Sequence, residues 1–187
     1  MKQVTSFLSQ EEIAEIGFKS VGQGCLISRN ARFYGPQNMT IGNHVRIDDF
    51  CILSGKITLG NYIHISAYVA LYGAMGIVFE ECSGISARGT IYSAMDDFSG
   101  DYMIGPMLPE ELTHVTGGPV IIKKYVQIGA HSILFPDLTV GEGSVVGACS
   151  MVRKSLEPWG IYVGVPAKRI KERKKALLKY VPSKQSK

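Results

Sequence analysis

Aliphatic residues recur every six positions along most of this chain, and that interval limits what it can build. Ile122, Ile128, Leu134, Val140, Val146 and Val152 stand six apart without a break. A small or modest residue follows four places after most of them (Val126, Ser132, Leu138, Ser144, Ser150), and Gly129, Gly141 and Gly147 directly follow an anchor. An amphipathic helix needs apolar recurrence at three and four, and a half-buried strand needs strict alternation; the chain offers neither. A period of six with glycine punctuation suits short strands joined by sharp corners, coiling so that the anchors stack inward. Three hexads make one triangular turn.

The same register runs earlier through Ile41, Ile47, Leu53, Leu59, Ile65 and Leu71. It resumes at Phe79, Ile85 and Ile91 after a two-residue slip at Gly73-Ala74-Met75-Gly76, and it opens with Val21, Ile27 and Phe33 before a slip near Pro36. The pattern predicts an all-β parallel β-helix of about six coils over residues 21–165. Three segments stand outside it. Residues 1–20 form an N-terminal helical segment, with a short helix over 9–16 in which Ser9 caps, Glu12 completes a capping box and Gly17 ends the element. Residues 94–119, rich in Gly, Pro, Asp and Met, break the repeat and protrude as a long loop. Residues 166–187 predict a basic C-terminal helix and tail whose apolar stripe, Ile170, Leu177 and Leu178, lies back on the coils.

Length and composition fit one folded domain: 187 residues, 45% hydrophobic and 19% charged. No apolar run reaches the length of a membrane span, and the first residues carry no signal-peptide pattern, so a cytoplasmic protein is expected. Cys25, Cys51, Cys82 and Cys149 form no C-x-x-C pair and no zinc spacing, and are expected to be small buried residues. The net charge is +4, and seven of the 20 Lys and Arg residues fall between Lys168 and Lys179. Without aromatic interleaving or a binding motif this does not point to nucleic acid; cofactor phosphates explain it with fewer assumptions.

The hexads together with Val163-Gly164-Val165-Pro166-Ala167-Lys168-Arg169-Ile170 resemble the hexapeptide-repeat acyltransferases over about residues 20–175. The resemblance implies a left-handed β-helix, a homotrimer with active sites in grooves between subunits, and acetyl-CoA as co-substrate, with no metal. Ile91-Tyr92-Ser93-Ala94-Met95-Asp96-Asp97-Phe98-Ser99-Gly100 is most similar to acetyltransferases of sugar and surface-polysaccharide (including lipopolysaccharide) biosynthesis, among them those acting on nucleotide-linked amino-dideoxy sugars. It also implies cofactor contacts at Ala130, at Ala148, Arg153 and Lys154 of the Gly147–Lys154 segment, and at Lys168 and Lys171, expected on one face of the terminal helix.

Acetyl transfer from a thioester requires a positioned acceptor, a proton acceptor and donors for the developing oxyanion. The galactoside and maltose enzymes carry their catalytic histidine in a segment like I-Y-T-A-T-H-P, and here Asp96 stands in the histidine's place with Asp97 beside it. A carboxylate of ordinary pKa, about 3.9, is a weak base toward a hydroxyl and well suited to orient an ammonium. The substitution therefore favours the amino group of a nucleotide-linked sugar, with a sugar hydroxyl as the alternative. His64 is the first histidine to consider as a base, with Arg46 one coil below it and Asp48, Asp49 and Tyr68 on the next edge as an acceptor pocket. His114, in the long loop, is a further substrate contact. A γ-type carbonic anhydrase requires a histidine pair five apart, which is absent. A non-catalytic scaffold leaves the terminal motif and the long loop unexplained.

Overall fold

In a computed structural model the chain is a three-faced parallel β-helix, described over residues 6–182. The ends of the first and last expected segments, 1–5 and 183–187, lie outside the described residues. Helix α1 (Gln10–Glu15) opens it: the Ser9 hydroxyl accepts from the Glu12 amide, and the Glu12 side chain returns the bond, as the S-x-x-E pattern predicts.

One face is a ladder of seven parallel rungs: Leu26–Ile27, Arg46–Ile47, His64–Ile65, Gly84–Ile85, Gln127–Ile128, Val145–Val146 and Gly160–Val163. The seventh rung lies beyond the last hexad anchor, Val152. The six-residue period sends successive anchors to successive faces, and every third anchor lands one coil above on the same face, so Ile47, Ile65, Ile85, Ile128 and Val146 are fully buried in a single column. Leu53, Leu71, Ile91, Leu134 and Val152 form a second column, and Ile41, Leu59, Phe79, Ile122 and Val140 a third. The hydrophobic core is the inside of the prism. The slip at Gly73–Gly76 is a local irregularity: Gly55 pairs Gly73, and Ile57 then pairs Ile77.

Glycine after an anchor is required where coils touch. A Cβ on Gly129 falls 2.4 Å from the Ala148 amide nitrogen, a backbone atom that cannot give way. Other corners carry bulky residues in the left-handed region, among them Phe50, Tyr68 and Arg88 at φ near +60°. Their side chains point outward and stack in register: Phe50 on Tyr68 at 5.0 Å, with the Arg88 guanidinium 5.2 Å from the Tyr68 ring.

Two expectations are corrected. Residues 168–172 form a strand, Lys168–Glu172, antiparallel to Gly160–Val163, and only Ala176–Tyr180 turns as a short 3₁₀ segment. The K-R-I-K-E-R stretch has good helix propensity, but the last rung of the ladder offers an open edge, and pairing with it satisfies backbone groups that a separate helix would leave uncovered. Arg173 fixes the return by donating to the Tyr125 and Gly143 carbonyls at 2.7 and 2.9 Å. Ile170 and Leu178 are consequently exposed rather than packed on the coils. The cysteines divide: Cys25 and Cys51 are buried and Cys82 half-buried, but Cys149 is exposed, because it occupies a left-handed corner (φ 55) that faces its side chain outward.

Candidate active site

The segment bearing Asp96 departs from the coil where Ser93 anchors it. The buried Ser93 hydroxyl donates to the Tyr72 carbonyl at 3.0 Å and accepts the Met75 amide at 2.8 Å. The chain leaves as the strand Ala94–Asp96 and returns as Val115–Gly117, antiparallel, with Asp96 opposite Val115 and Met95 opposite Thr116. Gly117 closes the base: at φ +152° a Cβ there falls 2.3 Å from the Ser93 carbonyl oxygen. The long loop is thus a hairpin stem with an irregular tip. Just beyond the stem, Asp97 and His114 join it by the Asp97 amide to the His114 carbonyl at 2.8 Å and by His114 Nδ1 to Asp97 Oδ2 at 2.9 Å. The His114 hydrogen bond, with those from Ser99, pulls the Asp97 carboxyl down to about 2.

Between this hairpin and the outer side of the strands Ile133–Leu134 and Met151–Val152 lies a cavity of about 530 Å³. Met95, Phe98, Phe135 and Met151 supply its apolar wall; Asp96, Asp97, Thr116 and Arg153 supply the polar groups. Arg153 lies over the Phe135 ring at 5.5 Å and also lines a second cavity of about 400 Å³ with Lys154, Pro166 and Ala167. Arg153 therefore joins a basic cavity to the one containing Asp96. Lys168 and Lys171 stand beyond, on the antiparallel strand. A bulge at Ile170 puts Lys171 opposite Ile161 and Lys168 opposite Val163, so the two lysines share a face although the element is not a helix. Ala130 and Ala148 follow stacked glycines, Gly129 and Gly147, on the ladder's outer corner.

The other expected residues form a separate group on the ladder face. Arg46 and His64 are register partners, as the hexad spacing predicts. The Arg46 Nε donates to Asp48 Oδ1 at 2.6 Å, and His64 Nε2 lies 2.7 Å from Asp48 Oδ2. Burial alone would push the Asp48 carboxyl up, but the hydrogen bonds and charges of Arg46 and His64 outweigh it and hold it below the ordinary value. Asp49 turns the other way and accepts from Ser28 and Asn30. Tyr68 belongs to the Phe50–Arg88 stack. Within one chain, then, His64 and Asp96 are not brought together.

Sequence reasoning passed over Ser86. It follows anchor Ile85 at the position that Gly129 fills one coil above and Ser66 one coil below. Gln127 Nε2 donates to its hydroxyl oxygen at 3.2 Å, which leaves the hydroxyl proton free to donate outward. A serine where upper coils carry glycine was the available signal. Among the described residues no three His, Cys, Asp or Glu side chains gather closely enough to hold a metal ion, and no helix is long and apolar enough to cross a membrane.

No family model matches the chain. It is 44% identical over 176 residues to a dTDP-4-amino-4,6-dideoxy-D-glucose acyltransferase of Escherichia coli, covering 92% of each. It is 53% identical to AntD, an N-acyltransferase from Bacillus cereus, over 95% of this chain and 96% of that one, with a TM-score of 0.93. AntD has been crystallised as variants altered at a serine with dTDP-4-amino-4,6-dideoxyglucose and coenzyme A, as variants altered at an aspartate ten positions later with dTDP and coenzyme A, and with dTDP and 3-hydroxybutyryl-CoA. A fold of stacked parallel coils, and close identity over almost its whole length, show that the chain belongs to the left-handed β-helix, hexapeptide-repeat acyltransferases, with the dTDP-4-amino-4,6-dideoxyglucose acyltransferases as near relatives.

Proposed function

We propose that this protein transfers an acyl group from a coenzyme A thioester to the amino group of a dTDP-linked 4-amino-4,6-dideoxy sugar made for a surface polysaccharide. The observation that carries this is the placement of Asp96 in a cavity joined through Arg153 to a basic one. Arg153 and Lys154, with Lys168 and Lys171 beyond, supply cations for the phosphates of coenzyme A, and Ala130 and Ala148 offer backbone to its pantetheine arm. The thioester end then reaches the cavity where Asp96 waits. Acetyl-CoA is the simplest donor; 3-hydroxybutyryl-CoA is the donor bound to AntD.

Ser86 and Asp96 are ten positions apart, the spacing of the serine and aspartate altered in AntD, and no other serine and aspartate in this chain have it. Asp96 orients the sugar ammonium and favours loss of its proton; the neutral amine attacks the thioester carbonyl while the Ser86 hydroxyl donates to the oxygen that gains charge; the C–S bond then breaks as the amide forms, the amine's second proton passes to Asp96, and coenzyme A leaves as the thiol. Ser86 precedes the strand Thr90–Tyr92 and Asp96 follows it. The turn after Ser86 and that strand, at about 3.3 Å per extended residue, separate the corner carrying Ser86 from the hairpin carrying Asp96. One sugar meets both when Ser86 of one copy faces Asp96 of the next, which is the arrangement a homotrimer with three intersubunit grooves provides. Arg46, Asp48, Asp49, Tyr68 and His114 then border the nucleotide-sugar side. Free cysteines and substrates of this kind suit the cytoplasm.

The test is thiol release from acetyl-CoA and longer thioesters with dTDP-4-amino-4,6-dideoxyglucose and, in parallel, dTDP-glucose as acceptors. Amine-dependent release is expected. Release only with the hydroxyl sugar would move the activity to O-acylation, and none with either would sink the assignment.

A further inference from the structure

The cavity beside Asp96 is larger and more apolar than an acetyl group requires. The coil strands line it with Phe135, which also packs against the core, and Met151, and the hairpin lines it with Met95 and Phe98, the last 70% exposed. Aromatic and methionine side chains left half-open to water are costly unless something apolar covers them. The cavity's polar groups stand apart from this wall in function: Arg153 marks the side continuous with the basic cavity, and Asp96 marks the reacting amine. A thioester entering past Arg153 brings its carbonyl to Asp96 and must place every carbon beyond that carbonyl against the wall.

We propose that Met95 of the hairpin and Met151 of the coil, which both line this cavity, gauge the acyl chain and select a four-carbon tail over acetyl. This rests on the acyl transfer proposed above and adds the residues that choose the donor. An acetyl methyl leaves most of the wall uncovered. Each added methylene that reaches it improves binding by about fourfold, so a butyryl donor gains about tenfold over acetyl even with incomplete burial. Methionine suits such a wall, because its unbranched thioether adapts to tails of slightly different shape.

The experiment compares acetyl-, propionyl-, butyryl- and hexanoyl-CoA with dTDP-4-amino-4,6-dideoxyglucose in the wild-type protein and in Met95→Trp and Met151→Phe. The readout is the ratio of kcat/KM for butyryl over acetyl within each protein, with calorimetric binding of the same thioesters as a measurement independent of turnover. The wild-type ratio is expected near ten, and each filled variant is expected to lower it by about tenfold, in binding as in turnover. A ratio near one in the wild-type protein, or one unmoved by both substitutions in folded variants, overturns the gauge while leaving acyl transfer standing. Thioesters ranked by length in binding but transferred to no acceptor would instead retain the gauge and sink the activity.

Discussion

His64 Nε2 and Asp48 Oδ2 lie 2.7 Å apart on the ladder face, and the other oxygen of that carboxylate takes Arg46 Nε at 2.6 Å. That geometry ties the His64 imidazole by one nitrogen into the Arg46–Asp48 pair. Among the described residues the Asp96 carboxylate forms no ion pair, and it lines the cavity together with Arg153. Asp96→Asn is therefore expected to lower kcat/KM for an amino sugar by ten- to a hundredfold, and His64→Asn by less than about tenfold with its pH–rate profile unchanged in shape. The opposite ranking, measured with both acceptors, would return the base to His64.

Much of this was legible in the sequence because it depends on spacing. A strict period of six fixes which residues stack, so Arg46 beneath His64 and the buried columns could be read directly. The C-terminal strand could not. Lys168–Glu172 has helix-favouring residues, and its state is decided by an open ladder edge contributed by residues 160–163, which no local pattern announces. The shared face of Lys168 and Lys171 was expected for the wrong reason: a helix would supply it by its turn, whereas the chain supplies it by a bulge at Ile170. Ser86 was passed over because a serine after an anchor resembles any small corner residue until its Gln127 contact is seen.

The clasp between Asp97 and His114 predicts a titration. Its hydrogen bonds depress the Asp97 carboxyl to about 2 in the folded protein. A depressed carboxyl stabilises the hairpin above the ordinary value of about 3.9, and the benefit is lost as pH falls from there toward 2. Carbon-13 NMR of the Asp97 carboxyl should give a midpoint near 2 in the wild-type protein and a clearly higher one in His114→Ala. A midpoint indifferent to the substitution would remove the clasp.

Stability should be most sensitive where coils meet. Ile65 is fully buried between Ile47 and Ile85, and Ile65→Ala is expected to cost about 2–5 kcal/mol in denaturant unfolding. Gly129→Ala should be comparably damaging although it adds only a methyl, because that carbon meets the Ala148 amide nitrogen at 2.4 Å and the coils must part to admit it. A Gly129→Ala protein as stable as the wild type would show that the coil spacing yields more readily than its backbone contacts imply.

The basic cavity predicts where donor affinity comes from. Replacing a cation that meets a phosphate typically costs 1.5–3 kcal/mol, so Arg153→Ala should raise KM for an acyl-CoA by about ten- to a hundredfold. With an acyl-N-acetylcysteamine donor, which lacks the phosphates, the penalty should shrink several-fold. An equal penalty for both donors would place Arg153 at the reacting carbonyl.

The separation of Ser86, on a coil corner, from Asp96, on the hairpin, makes the sharpest prediction, because it concerns assembly and chemistry together. If each groove takes its serine from one copy and its aspartate from the next, then Ser86→Ala and Asp96→Asn each impair all three grooves of a pure trimer. In a mixed trimer the Asp96→Asn copy still contributes an intact Ser86, and the Ser86→Ala copy still contributes an intact Asp96. Wherever those two residues meet, a complete groove forms beside one that carries both defects. Co-expressed variants, purified through different tags on the two chains, should therefore regain activity that a mixture of separately folded trimers lacks. The expected recovery is up to about one third of the wild-type rate per trimer, since one groove in three is restored. Activity equal to the average of the two pure variants would mean that serine and aspartate serve the same copy, and the groove between subunits would have to be abandoned as the place where acyl group and amine meet.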